Sequence, residues 1–159
     1  MLAEVVRERG SLTQETLRLM WNFIRKDAVD PAVQRAAAAV AGGGSPQDQA
    51  GRVYAWVRTN IKYRPDPPNA ELVQDFEASL RTRGGDCDDL ATAAGTMLAA
   101  IGHRVVPVAV WWKDRPRFTH AVVMDKTAGV IVDPVSPVFQ PWPPAGYGRE
   151  VYALMEASL

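Results

Sequence analysis

One short run constrains this chain more than any other: Arg83-Gly84-Gly85-Asp86-Cys87-Asp88-Asp89-Leu90. Two glycines break the chain, and Asp86 then stands where an N-cap belongs. Asp89, three residues on, is the reciprocal acid of a capping-box-like start. The helix so opened is expected to run to about Ile101, with Gly102 as its stop. Its apolar stripe is Leu90, Ala91, Ala94, Met97, Leu98 and Ile101. Cys87 falls on that stripe, three before Leu90 and four before Ala91, so its thiol is expected to face whatever packs on the helix. Cys87 is the only cysteine of 159 residues, which excludes an intrachain disulfide. A reducing cytoplasm suits a working thiol.

The chain before this run reads as helical from residue 1 to 62. Thr13 is placed to cap a helix through Leu17, Met20, Trp21 and Ile24. Asp30-Pro31 and Ser45-Pro46 each pair an N-cap with a proline at the first helical position. Gly42-Gly43-Gly44 stops the second helix, and the third presents Val53, Trp56, Val57 and Ile61. Tyr63 to Asn69, with three prolines, is an extended connector. A short extended piece at Leu72-Val73-Gln74 and a short helix to Thr82 follow. Trp21 and Trp56 are expected to pack between helices.

After Gly102 the pattern changes to strands. Arg104 to Trp112 is β-rich, with Pro107 suggesting an edge position or an early break. Lys113 to Pro116 is a turn, and Arg117 to Met124 and Val130 to Asp133 are the next two strands. Past Pro134 the chain is rich in proline and glycine. Glu150 to Leu154 is either a strand or a helix. The expected fold class is α+β: N-terminal helices, then a helix carrying Cys87 packed on a small antiparallel sheet. The expected organisation is a single domain over residues 1–159. It comprises a helical extension (1–44), a core (45–136) and a proline- and glycine-rich tail (137–159).

A hairpin argument brings an acid to the histidine of the strands. A two-residue turn at Lys126-Thr127, or a four-residue one over Asp125 to Ala128, sets one register. In that register Asp133 lies directly opposite His120. Directly opposed residues share a face, with Cβ atoms ~4.5–5.5 Å apart. Cys87, His120 and Asp133 then form a nucleophile, a base and the group that orients the base. A helix N-terminus favours the thiolate, whereas Asp86, Asp88 and Asp89 oppose it. Generic rules alone favour blander roles: an inert core cysteine and a structural His–Asp hydrogen bond. His103, beside Gly102, reads as a surface turn residue.

Charge and composition exclude other classes. Lys plus Arg equals Asp plus Glu, 18 against 18, and nucleic-acid binding calls for a basic surplus. With one cysteine and no histidine-rich spacing, no metal is expected; no cofactor is implied. The N-terminus lacks the apolar core of a signal peptide, and no apolar run approaches the ~20 residues that span a bilayer. The expectation is a protein of the cytoplasm, or one delivered with a virion, that makes no membrane contact.

Several segments together resemble the transglutaminase-like superfamily of papain-like fold. These are Gly84 to Thr92, Ala100-Ile101-Gly102, Thr119-His120-Ala121-Val122-Val123 and Val132-Asp133-Pro134. Tyr54 to Tyr63, Asp66-Pro67 and Glu71 to Gln74 look like variants found in bacteriophages and prophages. The resemblance covers roughly residues 12 to 136. It implies a Cys87–His120–Asp133 triad and attack on a carboxamide or peptide carbonyl of a protein or peptide. A thioester would form and be released to water or an amine. It also suggests Gln74 as an oxyanion donor beside the Cys87 backbone N–H. The chain departs from the family in having Ala121-Val122 after the histidine and no tryptophan between Gly129 and Val132. Trp111, Trp112 and the Pro141-Trp142-Pro143-Pro144 loop are candidates to line a substrate cleft, or to pack. A non-catalytic module of a phage particle, binding its structural proteins, is the alternative function.

Overall fold

The computed structural model describes residues 3–6 and 12–158. Strand β1 (Ala3–Val6) is followed by helices α1 (Leu12–Asp27), α2 (Pro31–Ala41) and α3 (Pro46–Asn60). Then come β2 (Lys62–Tyr63), β3 (Glu71–Gln74), α4 (Phe76–Thr82), β4 (Gly84–Gly85) and α5 (Cys87–Ala100). Strands β5 (Val105–Trp112), β6 (Phe118–Asp125), β7 (Val130–Val132) and β8 (Val151–Glu156) complete the chain. The mixed α+β architecture is the one expected.

The caps act as their chemistry dictates. The Asp30 carboxylate accepts the Ala32 N–H at 2.7 Å, and Gly42 closes α2 with φ +60°. Ser45 and Asp48 exchange the two bonds of a capping box at the start of α3, an arrangement whose loss costs about 1 kcal/mol. Thr13 lies inside the first turn of α1, because the helix already includes Leu12.

Helix α5 is the axis of the molecule. A single apolar stripe was expected, yet every residue from Asp88 to Leu98 is buried. Helices α1, α2, α3 and α4 surround it on the sides that β5 and β6 do not cover. A helix enclosed all round must be lined with small residues where neighbours come close. At Gly95 an added Cβ would lie 2.7 Å from Ile24 Cδ1 and 3.0 Å from Val123 Cγ2.

The main sheet is antiparallel, in the order β7-β6-β5-β8. The last segment, open between strand and helix on sequence alone, is a strand. Strand β5 is interior, but Pro107 still occupies a local edge: the β8 ladder begins at Val108, and the Pro107 carbonyl accepts the Ala157 N–H at 2.9 Å. Two small pairings escaped the sequence reading. Ala3–Val6, expected to be helical, pairs antiparallel with β3, and β2 pairs parallel with β4. The second pairing sets Tyr63 against Gly85, two residues before Cys87.

The β6–β7 register also departs from expectation, by two residues. Asp125 pairs with Val130 and Val123 with Val132 across the four-residue loop Lys126 to Gly129. The cause is Asp125. Its Oδ1 accepts the Thr127 and Ala128 N–H groups, both at 3.0 Å, and Gly129 takes φ +70°. An aspartate that bonds the backbone of the following turn fixes that turn's length. His103 is buried, contrary to its reading as a surface residue. Its Nδ1 lies 2.6 Å from Asp125 Oδ2 and its Nε2 lies 3.0 Å from Gln49 Oε1. This histidine joins the end of α5 to the hairpin and to α3.

Candidate active site

The loop before α5 is shaped by Asp89. Its Oδ1 accepts the Gln74 backbone N–H at 2.7 Å. Its Oδ2 accepts the Gln74 side-chain amide at 2.8 Å and the Asp86 N–H at 3.2 Å. A Cβ on Gly85 would lie 2.5 Å from the Asp89 side chain, so only glycine fits there. The consequence for Gln74 is direct. Its Nε2 donates to Asp89 and, at 3.1 Å, to the Gly84 carbonyl. Both amide hydrogens are thus spent holding the loop. Gln74, expected as an oxyanion donor, does not line either cavity that reaches Cys87; the bonds the structure shows for its amide hydrogens position the loop before α5.

Cys87 begins α5 and is half-buried. The thiol is pushed well above its ordinary pKa, first by burial and then by the Asp88 and Asp86 carboxyls; a hydrogen bond from the Ala121 backbone pulls the other way. Asp88 is itself buried, and burial together with its hydrogen bond to Asp86 holds its proton far above the usual carboxylate range. Asp89 is pushed up to about 7, by burial and by Asp86, against the three N–H groups that favour its ionised form. The negative charge around the thiol is therefore smaller than three aspartates suggest. Carboxylate oxygens of Asp86, Asp88 and Asp89 come within 4.8 Å of one another. As a cation site the cluster is poorly built: Asp89 is already saturated with N–H donors, and a helix N-terminus repels cations.

His120 lies on β6, next to a bulge. Val110 pairs with His120 but Trp111 pairs with Phe118, which leaves Thr119 as the extra residue. Bulges of this kind re-aim the side chains beside them. The His120 Nε2 lies 2.8 Å from Asp133 Oδ2, and the Trp112 ring stacks on the imidazole at 5.6 Å between centroids. With Nε2 engaged, Nδ1 is the nitrogen left for a thiol. The two-residue register shift did not separate the pair. Side chains alternate with period two, so a shift by two keeps both on one face and makes them diagonal neighbours.

Asp133 is more tightly held than the hairpin argument foresaw. Its Oδ2 also accepts the Trp142 indole N–H at 2.9 Å, and its Oδ1 accepts the Val135 N–H at 3.1 Å. Burial acts to raise its pKa, but the bonds from His120, Trp142 and Val135 outweigh it and hold the carboxyl below its ordinary value. From α3, Arg58 binds the carbonyls of Pro134 and Ser136, both at 2.7 Å, and Tyr54 binds Ser136 at 2.6 Å, so the turn after Asp133 is clamped.

Two cavities meet at Cys87 and His120. One, of about 320 Å³, includes Glu71, Asp88, Arg117 and Phe118. The other, of about 450 Å³, includes Tyr63, Trp112, Tyr147 and Arg149. Trp142, Tyr147 and Arg149 come from the proline- and glycine-rich tail. Sequence reasoning offered the Trp142 loop as a cleft lining or a packing element and passed over the other two. Their one available signal was the density of aromatics in a segment too rich in proline and glycine to form a core.

The sequence model of the Transglutaminase-like superfamily matches residues 33–133. The chain belongs to that superfamily. Most of α2, helices α3 to α5 and strands β5 to β7, with Cys87, His120 and Asp133, fall within the match, whereas Trp142, Tyr147 and Arg149 lie beyond it. No curated protein matches the sequence. Two solved structures share the fold. A candidate cysteine protease from Cytophaga hutchinsonii aligns with a TM-score of 0.59 and 15% identity, over 86% of this chain and 46% of its own. A candidate protease from Parabacteroides distasonis aligns with a TM-score of 0.58 and 16% identity, over 75% of this chain and 26% of its own. The chain thus spans less than half the length of either. No helix among the described residues is long and apolar enough to cross a membrane.

Proposed function

We propose that this chain performs cysteine-nucleophile acyl chemistry at an amide bond of a protein or peptide. The observation that carries the reading is a helix-start thiol sharing its cavities with a histidine held by a buried aspartate. Cys87 Sγ attacks the carbonyl carbon while His120 Nδ1 takes the thiol proton. Asp133 keeps the imidazole in that tautomer and stabilises its charged form. The oxyanion meets the Cys87 backbone N–H at the positive end of α5. The tetrahedral species expels the amine, which leaves with the proton from His120, and a thioester remains. Water or a second amine, deprotonated by His120, then releases the acyl group. Because the thiol is held above its ordinary pKa, His120 acts as a general base during attack, without a thiolate already present in the resting protein. No metal or cofactor enters these steps, and the cytoplasm or a virion is the compartment we assign.

Incubation with a peptide library, read by mass spectrometry for cleavage, deamidation and amine incorporation together, tests the reading. Activity is expected to vanish in Cys87→Ala and to fall by at least about a hundredfold in His120→Ala, the range typical of a lost general base. Full activity in Cys87→Ala would refute the proposal. A second reading, a non-catalytic module of a bacteriophage particle, is favoured by the suppressed thiol. It predicts particle incorporation that survives Cys87→Ala with no turnover in the native chain.

A further inference from the structure

The two cavities that meet at Cys87 differ in lining: the larger holds a cation and no acid, whereas the smaller holds a cation and two acids. We infer that Arg149, with Trp112, Tyr63 and Tyr147, forms a subsite for a carboxylate-bearing part of the substrate. The inference rests on the reading of Cys87 as a nucleophile and names the substrate class for that site.

Arg149 lies over the Trp112 ring, with its guanidinium carbon 6.0 Å from the centroid. The same ring stacks on His120. The cation is thus tied to the wall that supports the proposed base. An arginine held over an aromatic face keeps its forked N–H donors available, and that fork matches a carboxylate. Among the described residues no ion pair or hydrogen bond occupies this guanidinium. Its sequence neighbour Glu150 is engaged elsewhere, 2.6 Å from Lys113. No acidic side chain lines the larger cavity. The acids that act on Tyr63, Asp86 and Asp66, are not among its walls. The smaller cavity is mixed, with Asp88 and Glu71 beside Arg117 in its lining.

A carboxylate in the larger cavity would meet one cation and three aromatic rings with no acid; in the smaller it would meet Arg117 together with two acidic side chains. This asymmetry orients a peptide across Cys87, with its acidic and apolar portion toward Trp112 and Arg149. Two sources share this chemistry: a free α-carboxylate at a chain end, and an aspartate or glutamate side chain. Tyr147 and Arg149 lie beyond the residues that match the superfamily, so the subsite is built by the tail and not by the shared core.

Paired chloroacetyl peptides test this at Cys87. The thiolate forms the S–C bond as the C–Cl bond breaks, and chloride leaves. The first pair is N-chloroacetyl-phenylalanine and its amide. The second is N-chloroacetyl-phenylalanyl-glutamate amide and its glutamine counterpart. In at least one pair the acidic probe is expected to react about tenfold faster than its neutral partner, the scale of one charge-assisted hydrogen bond. The ratio is expected to fall toward one in Arg149→Gln and in high salt, to survive in part in Arg149→Lys, and to persist in the remote Arg35→Gln. Preference for the first pair assigns a terminal carboxylate; preference for the second assigns a side chain. Equal rates within both pairs would overturn the inference, as would a ratio lost in Arg117→Gln but kept in Arg149→Gln. If no probe labels Cys87 faster than a free thiol peptide, the nucleophile reading fails by itself. Binding of N-acetyl-phenylalanine against its amide to Cys87→Ala protein, followed by tryptophan fluorescence, then decides the subsite without the thiol.

Discussion

At Cys87 two demands collide. The helix start and the His120–Asp133 pair suit a nucleophile, while burial and the Asp88 and Asp86 carboxyls hold the thiol protonated. Asp88 is the residue through which the conflict can be adjusted, since its Oδ1 is buried without a hydrogen-bond partner. Asp88→Asn removes a titratable neighbour and keeps the shape. We expect the alkaline inflection of Cys87 alkylation by iodoacetamide to move down by about one unit, the usual effect of removing one nearby like charge. A profile unchanged in pH would show that the Asp88 carboxyl takes no part in suppressing the thiol. The same variant tests linkage. Asp88 and Asp89 bind protons more tightly in the folded chain than in the unfolded one. The stability they contribute is present below the ordinary carboxylate pKa of about 4 and is lost as pH rises, for Asp89 through about 7. Asp133, held low, has the opposite sign: its contribution is present above that value and is lost as pH falls through its folded pKa. The urea midpoint of the native chain is therefore expected to be higher near about pH 5 than near about pH 8, with a smaller difference in Asp88→Asn. The grouping of Cys87, His120 and Asp133 was legible, because a lone cysteine at a helix start is a rare local pattern and a hairpin brings His120 to Asp133. The bonds between Gln74 and Asp89 were not legible, because fifteen residues separate the two and no local signal links them.

Among the elements, the β6–β7 hairpin carries the most consequence. Its turn is set by Asp125, and Asp125 also binds His103 at the end of α5. Asp125→Ala removes the acceptor of two turn N–H groups and leaves a buried imidazole without its anion. A cost of about 3 kcal/mol is expected from unsatisfied buried groups of this kind, read as a lower urea midpoint. Alkylation at His120-dependent Cys87 is expected to slow as well, since the same hairpin carries His120 and leads to Asp133. Wild-type stability in this variant would contradict the account of the register. Strand existence here was legible from β-rich runs, and the register was wrong by two residues. The error was harmless to the site because it was even; an odd slip would have turned Asp133 to the opposite face. The pairings of β1 with β3 and of β2 with β4 were not legible. Segments of two to four residues carry too little periodicity to announce a partner far along the chain.

For the molecule as a whole, the decisive arrangement is a helix buried on every side with Cys87 at one end. The sheet lies on one side of α5 and α1 on another, and at Gly95 both approach closely. The closeness matters to function because β6, which Gly95 meets through Val123, also carries His120 three residues earlier. Any side chain at position 95 must displace Ile24, Val123 or both. Leucine-rich helices can absorb such a change by shifting outward, but α5 has no solvent side toward which to move. Gly95→Val is therefore expected to cost about 2–3 kcal/mol by overpacking, despite the loss of a helix-weakening glycine. If the displaced group is Ile24, α1 moves and the site is spared. If it is Val123, β6 moves, and His120 moves with it. The two cases separate in one comparison: urea denaturation for stability, and the alkylation rate of Cys87 in the folded protein for geometry. The 2.7 Å approach is to the tip of a flexible isoleucine and the 3.0 Å approach is to a β-branched residue fixed in a sheet. The branched residue is harder to move, so Ile24 is expected to yield, with stability falling and the alkylation rate staying within about twofold of the native value.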